Sequence, residues 1–146
     1  DDTEQLPGSK FHAENFEVDK DGKKVSMTLE KAYSPESGIV SYKKTTALSD
    51  DGVKIINDIK LDGERVLKIN LILCAPPERI DEKSFAVTSD GVRAVISYPQ
   101  GFEFDTEVLS FSEHPFWRNS YPHSDAIYRV ILSAKTDGGS FAVTVR

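Results

Sequence analysis

Cysteine, tryptophan and methionine occur once each in this chain of 146 residues, and histidine three times. A lone cysteine, Cys74, closes no disulfide within the chain, so the core has to hold the fold; at the end of an apolar, strand-like run Cys74 reads as a small core hydrophobe. His12, His114 and His123 lack the close spacing of metal ligands, and the acidic turns "DKDG" and "SDDG" lack the ligand ladder and terminal Glu of a calcium loop. No metal site is expected. The glycines stand in turns, with no phosphate loop, no dinucleotide fingerprint and no G-x-S-x-G elbow, so neither a cofactor nor a nucleophile motif is expected. Long apolar runs are missing too. The longest, Ile69 to Ala75, contains an asparagine and falls far short of a membrane span.

Positive charge is also scarce: 18 Lys and Arg stand against 24 Asp and Glu, for a net charge of -6 at pH 7. That balance argues against nucleic-acid binding, which usually needs a basic face. It would equally repel an acidic polysaccharide at long range. An acidic sugar would therefore have to meet a local cluster such as Lys43-Lys44, or Arg118 with Arg129. The opening "DDTEQLPGSK" has neither the basic region nor the apolar segment of a signal peptide. It reads as protein that was never exported or as a piece of something longer.

What the chain does have is alternation. Asp-Gly pairs at "DKDGKK", "SDDGVK", "LDGER", "TSDGVR" and "KTDGGS" are flanked by short segments with every second residue apolar, the signature of hairpins. The stripes predict about ten antiparallel strands, at 11–18, 24–32, 38–48, 53–61, 65–74, 85–88, 92–98, 102–110, 126–134 and 140–145. Strands with one apolar face must cover it, so the expected fold is all-β, a two-layer antiparallel β-sandwich forming a single domain over residues 1–146. Asn57 falls on the apolar face of Val53, Ile55, Ile59 and Leu61. It needs hydrogen-bond partners there, or a bulge that shifts the register.

One tract concentrates the rarer residues. "HPFWRNSYPHSDAIYRV", His114 to Val130, holds the only tryptophan and two of the three histidines. Trp117 and Tyr121 could present a flat platform to a sugar ring, with Arg118 or His123 contacting its polar groups. The structural alternative folds Trp117 over the end of the sandwich, with Tyr128 entering the core. The residue statistics of single tryptophans favour that alternative.

Read in order, "EQLPGSKFHA", "LEKAYSPESGIVSYKKTTAL", "VKIINDIKL", "CAPPERI", "FW" and "AIYRVIL" resemble the carboxy-terminal β-sandwich of heparinase II/III-like polysaccharide lyases. The resemblance covers nearly the whole chain. It departs from the family at Lys44, where arginine is frequent, losing a planar two-pronged donor. What the resemblance implies is an exported bacterial lyase, periplasmic or extracellular, that cleaves acidic polysaccharides such as glycosaminoglycans by β-elimination. That reaction needs a base, an acid and a charge-stabilising group gathered at one sugar. In the family these come from an upstream helical domain and an earlier β region, whose motifs are absent here, so no catalytic residue is carried over. The expectation is an accessory domain, inactive alone, whose partner is the upstream helical domain of the same parent chain. A free-standing carbohydrate-binding module using Trp117 and Tyr121 is the rival, and an interaction sandwich with no link to sugars a third reading.

Overall fold

The computed structural model describes residues 10–111 and 125–146. Among them the chain is all-β and antiparallel, as expected, with nine strands rather than ten: β1 (Glu14–Val18), β2 (Lys24–Thr28), β3 (Ile39–Ser49), β4 (Gly52–Leu73), β5 (Pro77–Arg79), β6 (Ser84–Ser89), β7 (Val92–Ser97), β8 (Glu103–Ser110) and β9 (Ala126–Val145). Two short 3-10 turns, Glu30–Ala32 and Pro35–Ser37, lie between β2 and β3.

Three of the five Asp-Gly sites turn the chain. At "DKDGKK" the Asp19 carboxylate accepts the backbone N–H groups of Lys23 and Lys24 at 2.8 and 3.1 Å. At "SDDGVK" Ser49 pairs with Gly52 across a two-residue connection. At "TSDGVR" Asp90 and Gly91 both have positive φ, 51° and 77°, the mirror-image turn that suits strand twist. The other two sites do not turn. "LDGER" runs on inside β4, where Arg65 clamps the Asp62 carboxylate with two hydrogen bonds of 2.7 and 2.9 Å. "KTDGGS" runs on inside β9, where a side chain at Gly138 would overlap the backbone carbonyl of Ile59, so glycine serves close strand approach there rather than reversal. Sequence punctuation divides each of these long strands in two; the structure keeps each as one.

The chain divides into two compact units, one taking in the chain up to Val66 with Lys135–Arg146, the other Leu67–Ala134. In the first, the strand order is β1-β2-β3-β4-β9. Pairing of β3 with β4 runs unbroken from Ser41 opposite Lys60 to Ser49 opposite Gly52. That settles Asn57: there is no bulge at its position, and it is buried on the apolar face.

In the second unit, β6 pairs with β5 and β7, and β8 pairs with the first half of β9. Phe85 of β6 and Tyr98 just past β7 meet Phe104 of β8, with ring centroids 5.4 Å apart for Phe85–Phe104 and 6.0 Å for Tyr98–Phe104. These ladders belong to one antiparallel sheet, since β9 also neighbours β7, and the ring cluster encloses a sandwich-like core with Phe85, Val130 and Leu132 sealed from solvent.

Cys74 departs from its expected place and is exposed. The cause is parity. Leu67, Ile69, Leu71 and Leu73 share the half-buried side of β4, whereas Cys74 continues the opposite row of Val66, Lys68, Asn70 and Ile72, all exposed.

Candidate functional site

Trp117, Arg118, Tyr121 and His123, the residues of the sugar-platform and core-lid readings, lie outside the described residues. Residues on either side of them are described. Phe111, 3% exposed, donates its backbone N–H to the Asp125 carbonyl at 3.0 Å, which closes the base of the connection between β8 and β9. Farther along, Tyr128 is half-buried opposite Val108 rather than sunk in the core. Arg129 forms a cross-strand ion pair with Glu107.

Among the described residues an open groove of about 330 Å³ lies in the first unit. It lies across β3, β4 and the second half of β9, and Ser41, Lys43, Asp58, Lys60, Gly139 and Ser140 line it together with Thr28 at the end of β2 and Glu30 of the first 3-10 turn. Register explains the grouping. Lys43 stands directly opposite Asp58 and Ser41 opposite Lys60, so all four side chains leave the same face of the ladder. The neighbouring Lys44 leaves the other face, opposite Asn57. The adjacent pair Lys43-Lys44, which looks like one cationic cluster in sequence, is therefore divided by strand parity. The signal that finds the groove is the cross-strand one, Lys43 with Lys60, and it becomes readable only once the β3–β4 register is known.

Beneath the ladder a buried polar node fixes that register. The Tyr42 hydroxyl donates to Asn57 Oδ1 at 2.8 Å, and Asn57 Nδ2 donates to the Phe141 carbonyl at 3.4 Å, tying β3, β4 and β9 together. Burial, and then the neighbouring Tyr33, push the Tyr42 phenol well above the ordinary tyrosine range. The rings of Tyr33 and Tyr42 are 6.2 Å apart.

The second unit supplies a contrast. Tyr98 is 4% exposed, yet among the described residues its hydroxyl has no hydrogen-bond partner. Tyr42→Phe orphans a buried amide oxygen and should cost about 1–3 kcal/mol, whereas Tyr98→Phe removes a hydroxyl that is already orphaned and should raise stability by about 1 kcal/mol. Chemical denaturation of the two variants checks this, and equal losses would contradict it. The Tyr42 node has a pH signature as well. Its phenol is neutral in both states below pH ~10, and above that only the unfolded chain ionises readily. Stability should therefore fall as the solution becomes more alkaline, and the Tyr42→Phe variant should show a shallower fall.

On the rim near β1, Lys31 and His12 both reach the Glu14 carboxylate, at 2.9 and 3.2 Å, and hold its pKa below the usual range. Among the described residues no group of three or more His, Cys, Asp or Glu is placed to hold a metal ion. Nor is any helix among them long and apolar enough to cross a membrane. Compared with known proteins, the chain matches no family model and no curated relative.

Proposed function

We propose that this chain is an accessory β-domain of an exported bacterial polysaccharide lyase of the heparinase II/III-like class, without catalytic activity of its own. The parent enzyme would cleave uronic-acid-containing polysaccharide by β-elimination in the periplasm or outside the cell. The proton-transfer groups would come from an upstream helical domain against which this one packs.

The observation that carries the reading is that four of the resembling segments fall, in chain order, on strands and turns of one antiparallel fold. "LEKAYSPESGIVSYKKTTAL" covers both 3-10 turns and most of β3, "VKIINDIKL" the first half of β4, "CAPPERI" the approach to and length of β5, and "AIYRVIL" the first half of β9. Several of these segments also hold the fold together. Tyr33 and Tyr42 lie side by side at the buried node, Asn57 completes it, and Val130 and Leu132 are fully buried. Residues committed to register and core are what a scaffold domain of a larger enzyme requires.

A β-elimination leaves an unsaturated uronate that absorbs ultraviolet light. Incubated with acidic glycans, the isolated chain is expected to produce no such absorbance. Turnover by the chain alone would overturn the reading. So would an upstream coding sequence that encodes no helical domain.

A further inference from the structure

We infer that the second half of β4 is an interface for a second copy of this chain, which docks by laying its own β4 antiparallel along an open edge and so continues the sheet. The inference is independent of the lyase-domain reading and concerns a surface away from the groove.

The edge is a consequence of unequal lengths. β4 runs from Gly52 to Leu73 with β3 on one side and β9 on the other, but β3 begins at Ile39, opposite Leu61. Residues 62–73 therefore have no described strand beside them on the β3 side. Hydrogen bonding shows which residues look that way. The Asp62 N–H reaches the Gly38 carbonyl at 2.9 Å, just past the end of the β3–β4 ladder. Every second residue of a strand turns its N–H and C=O to the same side, so Val66, Asn70 and Ile72 present donors and acceptors along the open edge. The two ends of the sheet are blunted. β1 carries Glu14 and Glu17 and shifts register around Asn15, whose φ is 51°, while β5 is three residues long and opens on Pro77. Charge, bulges, proline and short length are the devices that keep strand edges from pairing. From Val66 to Ile72 the β4 edge has a single charge, Lys68, and neither proline nor glycine. Val66 and Ile72 are 62% and 51% exposed.

The sequence of this edge selects the occupant. Val66-Leu67-Lys68-Ile69-Asn70-Leu71-Ile72 is its own complement about Ile69. In an antiparallel pairing centred there, Val66 meets the partner's Ile72, Leu67 the partner's Leu71 and Ile69 the partner's Ile69, so apolar residues oppose one another on both faces. Lys68, already engaged within its own chain, meets the partner's uncharged Asn70, and no like charges oppose. Backbone parity agrees, since Val66 and Ile72 both face the edge and can form a hydrogen-bonded pair at each end. Other registers do worse. A slip by one residue sets an edge-facing residue against one turned inward. A slip by two sets Lys68 against the partner's Lys68 in one direction, and in the other sets Val66 against the partner's Cys74, past the end of β4. A single strand edge buries less than the roughly 1,200 Å² of a stable interface, so the dimer should dissociate on dilution.

The test is sedimentation of the chain over a wide range of concentration, combined with amide hydrogen exchange. Molecular mass should rise toward that of a dimer as concentration increases. The added protection should fall on Val66, Asn70 and Ile72 and skip Leu67, Ile69 and Leu71, whose N–H groups turn the other way. Asn70→Pro removes an edge-facing N–H, so it should leave the fold intact and weaken association at least roughly tenfold. A second pair of variants tests the register even if that one fails to fold. Val66→Lys/Ile72→Lys opposes like charges at both ends of the pairing, whereas Val66→Lys/Ile72→Glu opposes unlike ones. Within one chain the two positions are about 20 Å apart, too far to interact. The Lys/Glu variant should associate at least roughly tenfold more tightly than the Lys/Lys variant, an advantage that added salt erodes. A chain that stays monomeric, a dimer indifferent to a folded Asn70→Pro, equal association of the two charge variants, or protection gained only outside residues 62–74 would each overturn the inference.

Discussion

Phe85→Ala is expected to cost about 3–5 kcal/mol, the range for truncating a fully buried phenylalanine. The ring is 0% exposed, between neighbours that are themselves buried, Ala86 at 0% and Ile96 at 5%. It also meets two other rings, Phe104 at 5.4 Å and Tyr98 at 6.2 Å, and such pairs add to what burial alone contributes. The Phe104 contact joins β6 to a strand that it does not pair with, so the cavity would open where side-chain packing, not strand pairing, links β6 to β8. Because only about 5–15 kcal/mol separates folded from unfolded chains, the variant should lose most of its protected amides in the second unit at ordinary temperature. Hydrogen exchange measures this residue by residue. A variant with unchanged protection across Ser84–Ser89 would show that the ring cluster is not the core.

Gly138→Ala carries the other large effect, and for an unrelated reason. The residue has φ of +139°, a region that side chains rarely enter, and a Cβ would overlap the carbonyl oxygen of Ile59 and approach Lys60 Cα at 3.0 Å. Backbone atoms of a central strand cannot swing aside as a flexible side chain can. Conformational strain alone is on the order of 1–3 kcal/mol, and the enforced separation of β9 from β4 adds to it. Gly22→Ala is the control. Gly22 also has positive φ, +68°, but nothing lies within 4 Å of the added carbon, so only the left-handed penalty of roughly 1–2 kcal/mol applies. Thermal unfolding of the pair should place Gly138→Ala well below Gly22→Ala. The reverse order would mean that β9 does not approach β4 as closely as described.

The all-β class was legible because period-two alternation is a local property, written into residues such as Leu67, Ile69, Leu71 and Leu73 wherever the strand finally lies. Turn chemistry was only partly legible. "TSDGVR" and "KTDGGS" look alike as strings, yet Asp90-Gly91 reverses the chain while Gly138-Gly139 lets two strands touch. The difference lies in the partner strand, which is distant in sequence. The same limit hid the groove: Lys43 and Lys60 are seventeen positions apart, and their kinship depends on a pairing that no local pattern specifies. Asn57 was readable as an anomaly, and its requirement for partners was correct. That those partners would be a tyrosine on β3 and a carbonyl on β9 was not.

Asn57 also works as a guard against misassembly. Were β4 to slide by one position along β3, either Ile56 or Asp58 would arrive beside the Tyr42 hydroxyl. The first offers nothing to bond and the second a desolvated carboxylate. Only the native alignment leaves no polar group stranded there, so a repeat of near-identical isoleucines that could pair in several ways is held to one.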